Sequence, residues 1–165
     1  MDEVWVEIPD FPNYSISSYG AVRNDVRRRP VHQSTTLQGE HKVGLVVGGK
    51  QFTRSVKVLV ADAFVEKTNP YHNTPIHLDG NKSNNHVDNL IWRPFWFACK
   101  YSRQMKTLPR YAGIGPLCDR ETGLRYDDVV QASFMNGLLF EEVHMSLVDK
   151  IQVFPTWQIF DWVKE

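Results

Sequence analysis

The densest run of chemistry-bearing side chains is Thr74-Pro75-Ile76-His77-Leu78-Asp79-Gly80-Asn81-Lys82-Ser83-Asn84-Asn85-His86-Val87-Asp88-Asn89-Leu90-Ile91-Trp92. The imidazole of His77 is a group that can take a proton near neutral pH. Asp79, His86 and Asp88 carry the oxygen and nitrogen donors that hold a hard divalent cation. Taken one at a time, these residues have plainer uses. A histidine on a short strand is more often a structural group with one satisfied hydrogen bond. Asn81, Asn84 and Asn85 suit a loop closed by Asx-type bonds. His72 and His86 read as solvated.

The elements that must position this segment can be read from spacing. Pro75 to Leu78 predicts a short strand, Asp79 to Asn85 a polar loop, and Asn89 to Trp92 a second strand or turn. Trp92, Trp96 and Phe97 are expected as core behind the hairpin. Pro94 suits the first turn of a helix over Phe95 to Lys106. Upstream, Tyr14 to Ser17 and Ala21 to Asn24 flank Ser18-Tyr19-Gly20, where Gly20 can supply a positive φ. His41 to Val47 and Lys50 to Ser55 flank Gly48-Gly49, a two-residue hairpin signal. Val56, Leu59, Val60, Ala63 and Phe64 recur at helical spacing, with Asn69-Pro70 as the stop. Downstream, Leu108 to Gly115 reads as a linker. Helices are expected over Asp127 to Met135, closed by Asn136-Gly137, over Phe140 to Lys150, and over Thr156 to Val163 behind Pro155.

Composition excludes several classes. Of 165 residues, 42% are apolar and 23% charged, as in an ordinary globular protein. The longest apolar run, Val56 to Val65, is broken by Lys57 and Asp62, so no membrane span or membrane partner is expected. The first residues, Met1-Asp2-Glu3-Val4-Trp5, lack a secretory pattern, and a cytoplasmic location is the default expectation. Cys99 and Cys118 are too few for a disulfide framework, and a zinc ribbon is excluded unless histidines supply most of its ligands. The 19 basic and 19 acidic residues balance, which argues against indiscriminate wrapping of nucleic acid. The cations are clustered, however. Arg23, Arg27, Arg28 and Arg29 form one group, and Lys100, Arg103, Lys106 and Arg110 another. With Lys82 in the loop, these are the candidate contacts to DNA phosphates.

The register of His77, Asp79, Gly80, Asn81, Lys82, Asn84, Asn85, Asn89, Leu90 and Trp92 resembles the core of the phage HNH homing endonucleases. Flanking stretches resemble modules that accompany such cores. Trp5, Ile8, Phe11, Tyr14, Ile16, Ser17, Gly20, Val22 and Arg23 match the small N-terminal one. More loosely, Asp119, Glu121, Thr122, Gly123, Tyr126, Val129 and Ala132 match a C-terminal modular helix-turn-helix. The resemblance implies an α+β chain in three parts: an N-terminal β-rich module over 1–68, a central ββα-metal-like hairpin and helix over 69–108, and a small helical, helix-turn-helix-like unit over 116–165. It implies that His77 is the general base for phosphodiester hydrolysis and Asn89 its orienting partner, with Mg²⁺ or Mn²⁺ as the cofactor of an active enzyme.

The metal positions depart from the family pattern. The residue before the base is Ile76, and the family's last ligand falls at Ala98; neither side chain has a lone pair to give. Asp79, His86 and Asp88 are the nearest replacements, at offsets that do not suit the same cage. The resemblance therefore implies a protein that binds double-stranded DNA in the cytoplasm of an infected host cell, with cleavage lost or weakened. Two alternatives stand beside it: an active Mg²⁺- or Mn²⁺-dependent nicking enzyme with an altered cage, and a scaffold that binds a host protein. The tail from Phe134 to Trp162 is apolar and acidic. It is expected either to pack on the N-terminal sheet or to form an interface with a host protein or a second copy.

Overall fold

Gly48 and Gly49, at φ +56° and +76°, close the hairpin that the sequence marks most sharply. In the computed structural model, which describes residues 2–163, His41–Val47 and Lys50–Ser55 pair in antiparallel register from Lys42↔Ser55 to Val47↔Lys50. The chain as a whole is mixed α+β. It divides into two compact units, the first ending at Phe95 and the second beginning at Trp96.

The first unit opens with β1 (Trp5–Glu7), β2 (Tyr14–Ser17), β3 (Val22–Asn24) and β4 (Arg29–Pro30), an antiparallel sheet in that order. A second sheet holds β5 (Gln33–Thr35), β6 (His41–Val47) and β7 (Lys50–Ser55). Helix α1 spans Val56–Phe64, and β8 (Thr74–His77) pairs with β9 (Leu90–Arg93) across the motif loop. One core joins these parts. Ile16 and Val22 of the first sheet, Val43 and Leu45 of the second, Val56 and Val60 of α1 and Leu90 of β9 are all buried in it. The N-terminal segment and the motif hairpin thus share apolar contacts, which is why compactness does not separate them at residue 68. Helix α1 stops at Phe64, earlier than the Asn69-Pro70 breaker. Val65 is extended, and its carbonyl accepts the Trp92 indole N–H at 3.1 Å.

The second unit holds α2 (Phe95–Gln104), a 3-10 turn at Met105–Thr107, α3 (Leu108–Tyr111), β10 (Leu117–Asp119), β11 (Arg125–Tyr126), α4 (Val129–Asn136), α5 (Phe140–Asp149) and β12 (Phe160–Trp162). Asp128 caps α4 by accepting from the Gln131 N–H, and Gly137 closes it in the left-handed region at φ +61°.

Three expectations are corrected here. Leu108 to Gly115 is not a plain linker: it contains α3, and Tyr111 is buried against Phe140 with ring centroids 5.8 Å apart. Thr156 to Val163 is not a helix. Trp157 sits at φ +61°, and Phe160 to Trp162 pair with β10 in the register Asp119↔Phe160 to Leu117↔Trp162. So short a segment gains little as an isolated helix, whereas the β10 edge satisfies its backbone groups. The C-terminal part is therefore not simply helical, because a three-stranded sheet in the order β11-β10-β12 backs the α4–α5 pair.

Part of the apolar tail packs in the same unit. Leu138, Phe140, Val143, Leu147, Val153 and Phe160 are buried with Leu117, Tyr126 and Val129 in the unit's own core. They are thus used within the unit's own core. Met135, Met145, Val148, Ile151, Trp157 and Trp162 remain exposed. No helix among the described residues is long and apolar enough to cross a membrane.

Candidate active-site hairpin and nucleic-acid interface

His77 ends β8, directly across from Leu90 of β9, and is almost fully buried at 6% exposure. Its ring is held by Asn85, whose Oδ1 lies 2.9 Å from Nε2. With the amide oxygen on that side, Nε2 carries the proton and Nδ1 keeps the lone pair. Burial is the main cause that lowers the His77 pKa. Lys57 also lowers it, while the Asn85 bond, Asp79 and Glu40 act in the opposite direction. The ring is therefore held in the neutral form, the one that can accept a proton. Nearby, Lys57 of α1 is paired with Glu40 at 3.1 Å. Burial alone would raise the Glu40 pKa, but the lysine holds it below the usual carboxylate range.

Asn89, expected as the orienting partner of His77, bonds within the motif loop. Its Nδ2 donates to Asp79 Oδ1 at 2.9 Å and to the Asn84 carbonyl at 2.8 Å, while its Oδ1 accepts from the Asp79 N–H at 3.1 Å. These bonds clamp the two ends of the motif loop. The side chain that contacts the ring is Asn85, which sequence reasoning grouped with the loop formers. Nothing in the local sequence distinguishes it from Asn81 and Asn84. The Asx-type bonds are present at the other positions: Asp79 Oδ1 accepts from the Asn81 N–H at 2.8 Å, and Asn81 Oδ1 from the Ser83 N–H at 3.1 Å.

The donor set does not fit a divalent cation. Ile76 is buried in β8 opposite Ile91 and offers no lone pair. Both oxygens of Asp79 are engaged in the loop, Oδ2 accepting from Asn84 Nδ2 at 2.8 Å. His86 is turned away from such a role. Its ring stacks on Tyr19 with centroids 4.6 Å apart, and its Nδ1 accepts the Asp88 N–H at 3.2 Å. Among the described residues no three His, Cys, Asp or Glu side chains gather as a metal site. Neither His86 nor His72 is freely solvated: the former is half-buried and the latter buried.

The cations fall where DNA could reach them. Arg27, Arg28 and Arg29 are all exposed in and after the β3–β4 turn. Arg23 on β3 lies 4.3 Å over the Trp5 ring and is bonded to Asp25 at 2.6 Å. Trp5, Arg23, Arg28 and Arg29 line one open groove, together with Glu3 and Asp25. Lys82 is half-buried. In the second unit, Lys100, Arg103, Lys106 and Arg110 are exposed, Lys100 5.4 Å from the Trp96 ring and Arg110 5.6 Å from the Tyr111 ring. Arg103 lies in the last turn of α2 and Lys106 in the 3-10 turn that follows it. Trp92 and Phe97 are core as expected, but Trp96 is 49% exposed.

Comparisons with known proteins give the relatives of this chain. A family model described as the NUMOD4 motif matches residues 3–45. An uncharacterized HNH endonuclease of Acanthamoeba polyphaga mimivirus is 40% identical over 89 residues, 52% of this chain and 22% of that protein. The DNA endonuclease I-HmuI of Bacillus phage SP01 is 34% identical over 91 residues, 53% of this chain and 51% of that protein. Over about half its length the chain is thus similar to HNH endonucleases of viral and phage origin. A solved structure, of DNA binding and cleavage by the HNH homing endonuclease I-HmuI, matches with a TM-score of 0.55 at 23% identity, over 98% of this chain and 99% of that one. That likeness shows the shared fold. The chain spans about half the length of the phage relative and under a quarter of the mimivirus one, so their activities are theirs.

Proposed function

We propose that this HNH-family protein binds duplex DNA through its clustered cations and that strand scission is lost or weak. The observation that carries the second part is Ile76, buried and apolar beside a histidine that otherwise keeps a base-ready form. Grip without scission needs only phosphate contacts, and Arg27, Arg28, Arg29, Lys100, Arg103 and Lys106 supply exposed guanidinium and ammonium groups for them. Such binding is salt-sensitive and does not depend on metal. Fluorescence anisotropy with a labelled duplex in EDTA tests it: affinity at low salt that falls steeply as salt rises is expected. No binding at low salt would sink the reading.

The His77–Asn85 contact favours a second reading, a Mg²⁺- or Mn²⁺-dependent nicking enzyme with a rearranged metal site. A histidine with an oriented, neutral ring is what a general base requires. Supercoiled plasmid incubated with Mg²⁺ or Mn²⁺ separates the two readings. Nicking that needs the metal and disappears in His77→Ala establishes the enzyme; intact plasmid from folded protein leaves the binding function.

A further inference from the structure

The turn between β2 and β3 rests on the loop segment that holds His77. The Ser18 carbonyl accepts from the Val87 N–H at 2.8 Å, and the Tyr19 ring stacks on His86 at 4.6 Å. A Cβ added to Gly20 would stand 2.8 Å from the Asn85 Cβ and 3.3 Å from its carbonyl oxygen. Three consecutive turn residues thus meet three consecutive loop residues, Asn85, His86 and Val87. The turn is itself pinned. Ser17 Oγ accepts from the N–H groups of Tyr19 and Ala21 at 3.2 and 2.9 Å, and Gln33 Nε2 donates to the Gly20 carbonyl at 2.7 Å.

A turn residue needs glycine for its φ of +85° alone, and that would explain Gly20 without reference to the motif. It would not explain the packing, because Gly48 and Gly49 have similar φ and nothing within 4 Å of a built Cβ. At Gly20 the missing side chain makes room for Asn85, the residue whose amide reaches His77. We infer that Gly20 is a positioning residue: the N-terminal β2–β3 turn acts as a backstop that sets Asn85, and through it which nitrogen of the His77 ring is protonated. The inference rests on reading His77 as the inherited base. It also places ring positioning on the turn that leads into β3, the strand that carries Arg23 and runs on toward Arg28 and Arg29.

The test is ¹⁵N NMR of imidazole nitrogens in histidine-labelled full-length protein, with the His77 signals assigned by their loss in His77→Gln. The wild type is expected to show one tautomer, protonated at Nε2. Asn85→Ala should move both nitrogens toward tautomer-averaged shifts, and Gly20→Ala should move them in the same direction. Gly49→Ala, equally strained in its backbone but with open space, should leave them unchanged. Wild-type ring shifts in a folded Gly20→Ala protein overturn the inference, as does an equal displacement in Gly49→Ala. If Gly20→Ala does not fold, Tyr19→Ala carries the test, since it removes the His86 stack without backbone strain. A smaller displacement in the same direction supports the inference, and unchanged shifts overturn it. Because no DNA is present, failure of duplex binding or of scission leaves this result readable on its own.

Discussion

The Nε2 of His77 and the Oδ1 of Asn85 lie 2.9 Å apart, with both residues buried. The family resemblance implied Asn89 as the orienting partner of His77 and placed Asn85 among the loop formers. Asn85 contacts the ring, and Asn89 ties Asp79 to Asn84 and so fixes the loop that carries Asn85. The proton-accepting part of the site therefore has a supported geometry, while the position beside it, Ile76, has no group for a cation.

Asn85→Ala removes the acceptor of a buried N–H, which costs about 1–3 kcal/mol because the donor is left desolvated. The expected result is a lower urea midpoint with an unchanged slope. Asn85→Asp retains an oxygen at the same place and should recover much of the loss, while its negative charge raises the His77 pKa. A midpoint for Asn85→Ala equal to that of wild type would mean the hydrogen bond contributes nothing to stability.

Burial holds the His77 pKa below its ordinary value of 6.5, and His72 is shifted the same way by burial and by Arg93. The unfolded chain therefore takes up protons at a pH where the folded chain does not. Stability from these groups is full above about 6.5 and declines as pH falls toward the folded-state values. Denaturation series over roughly pH 5 to 8, the window in which histidine titrates, should show stability falling on acidification. His77→Gln, which keeps a donor for Asn85, should flatten that dependence. An unchanged pH dependence in the variant would rule out His77 as its source.

The parts that could be read from the sequence are those where local chemistry alone decides the structure. Gly48-Gly49 forms its hairpin, α1 occupies the span with helical spacing, and Asn136-Gly137 ends α4, because turn chemistry and periodicity act over a few residues. Asn85 was hidden because three asparagines share one loop and only the fold selects which one faces the ring. Strand β12 was hidden because its partner, β10, lies some forty residues earlier in the chain. The aromatic spacing of Trp157, Phe160 and Trp162 fits a helix locally, and the open edge of β10 overrides it. Trp96 shows the same limit, since neighbouring Phe97 is fully buried while Trp96 is half exposed.

Strand β12 carries its own test. Phe160 has no exposed surface and meets Tyr126 edge-on at 5.9 Å, so Phe160→Ala should cost about 3–5 kcal/mol. Trp157→Ala, at a side chain that is 61% exposed, should cost little. If Thr156 to Val163 were the helix suggested by its aromatics, both residues would contribute. Thermal melts of the two variants distinguish the cases, and a large loss in Trp157→Ala would contradict the strand.

The arginines differ in what they should do to DNA affinity. Arg23 is already engaged by Asp25 and by the Trp5 ring, so Arg23→Ala should lower thermal stability as well as binding. Arg28 and Arg29 are exposed and able to meet phosphates, so the double substitution Arg28→Ala with Arg29→Ala should weaken binding without unfolding the protein. Removing one phosphate-neutralising cation takes about one unit off the slope of log affinity against log salt, which gives a change of roughly two units for the pair. Lys100→Ala with Arg103→Ala applies the same measure to the second unit. A slope that changes in only one double variant assigns the DNA face to that unit, and a slope unchanged in both would remove phosphate binding by these cations from the proposed function.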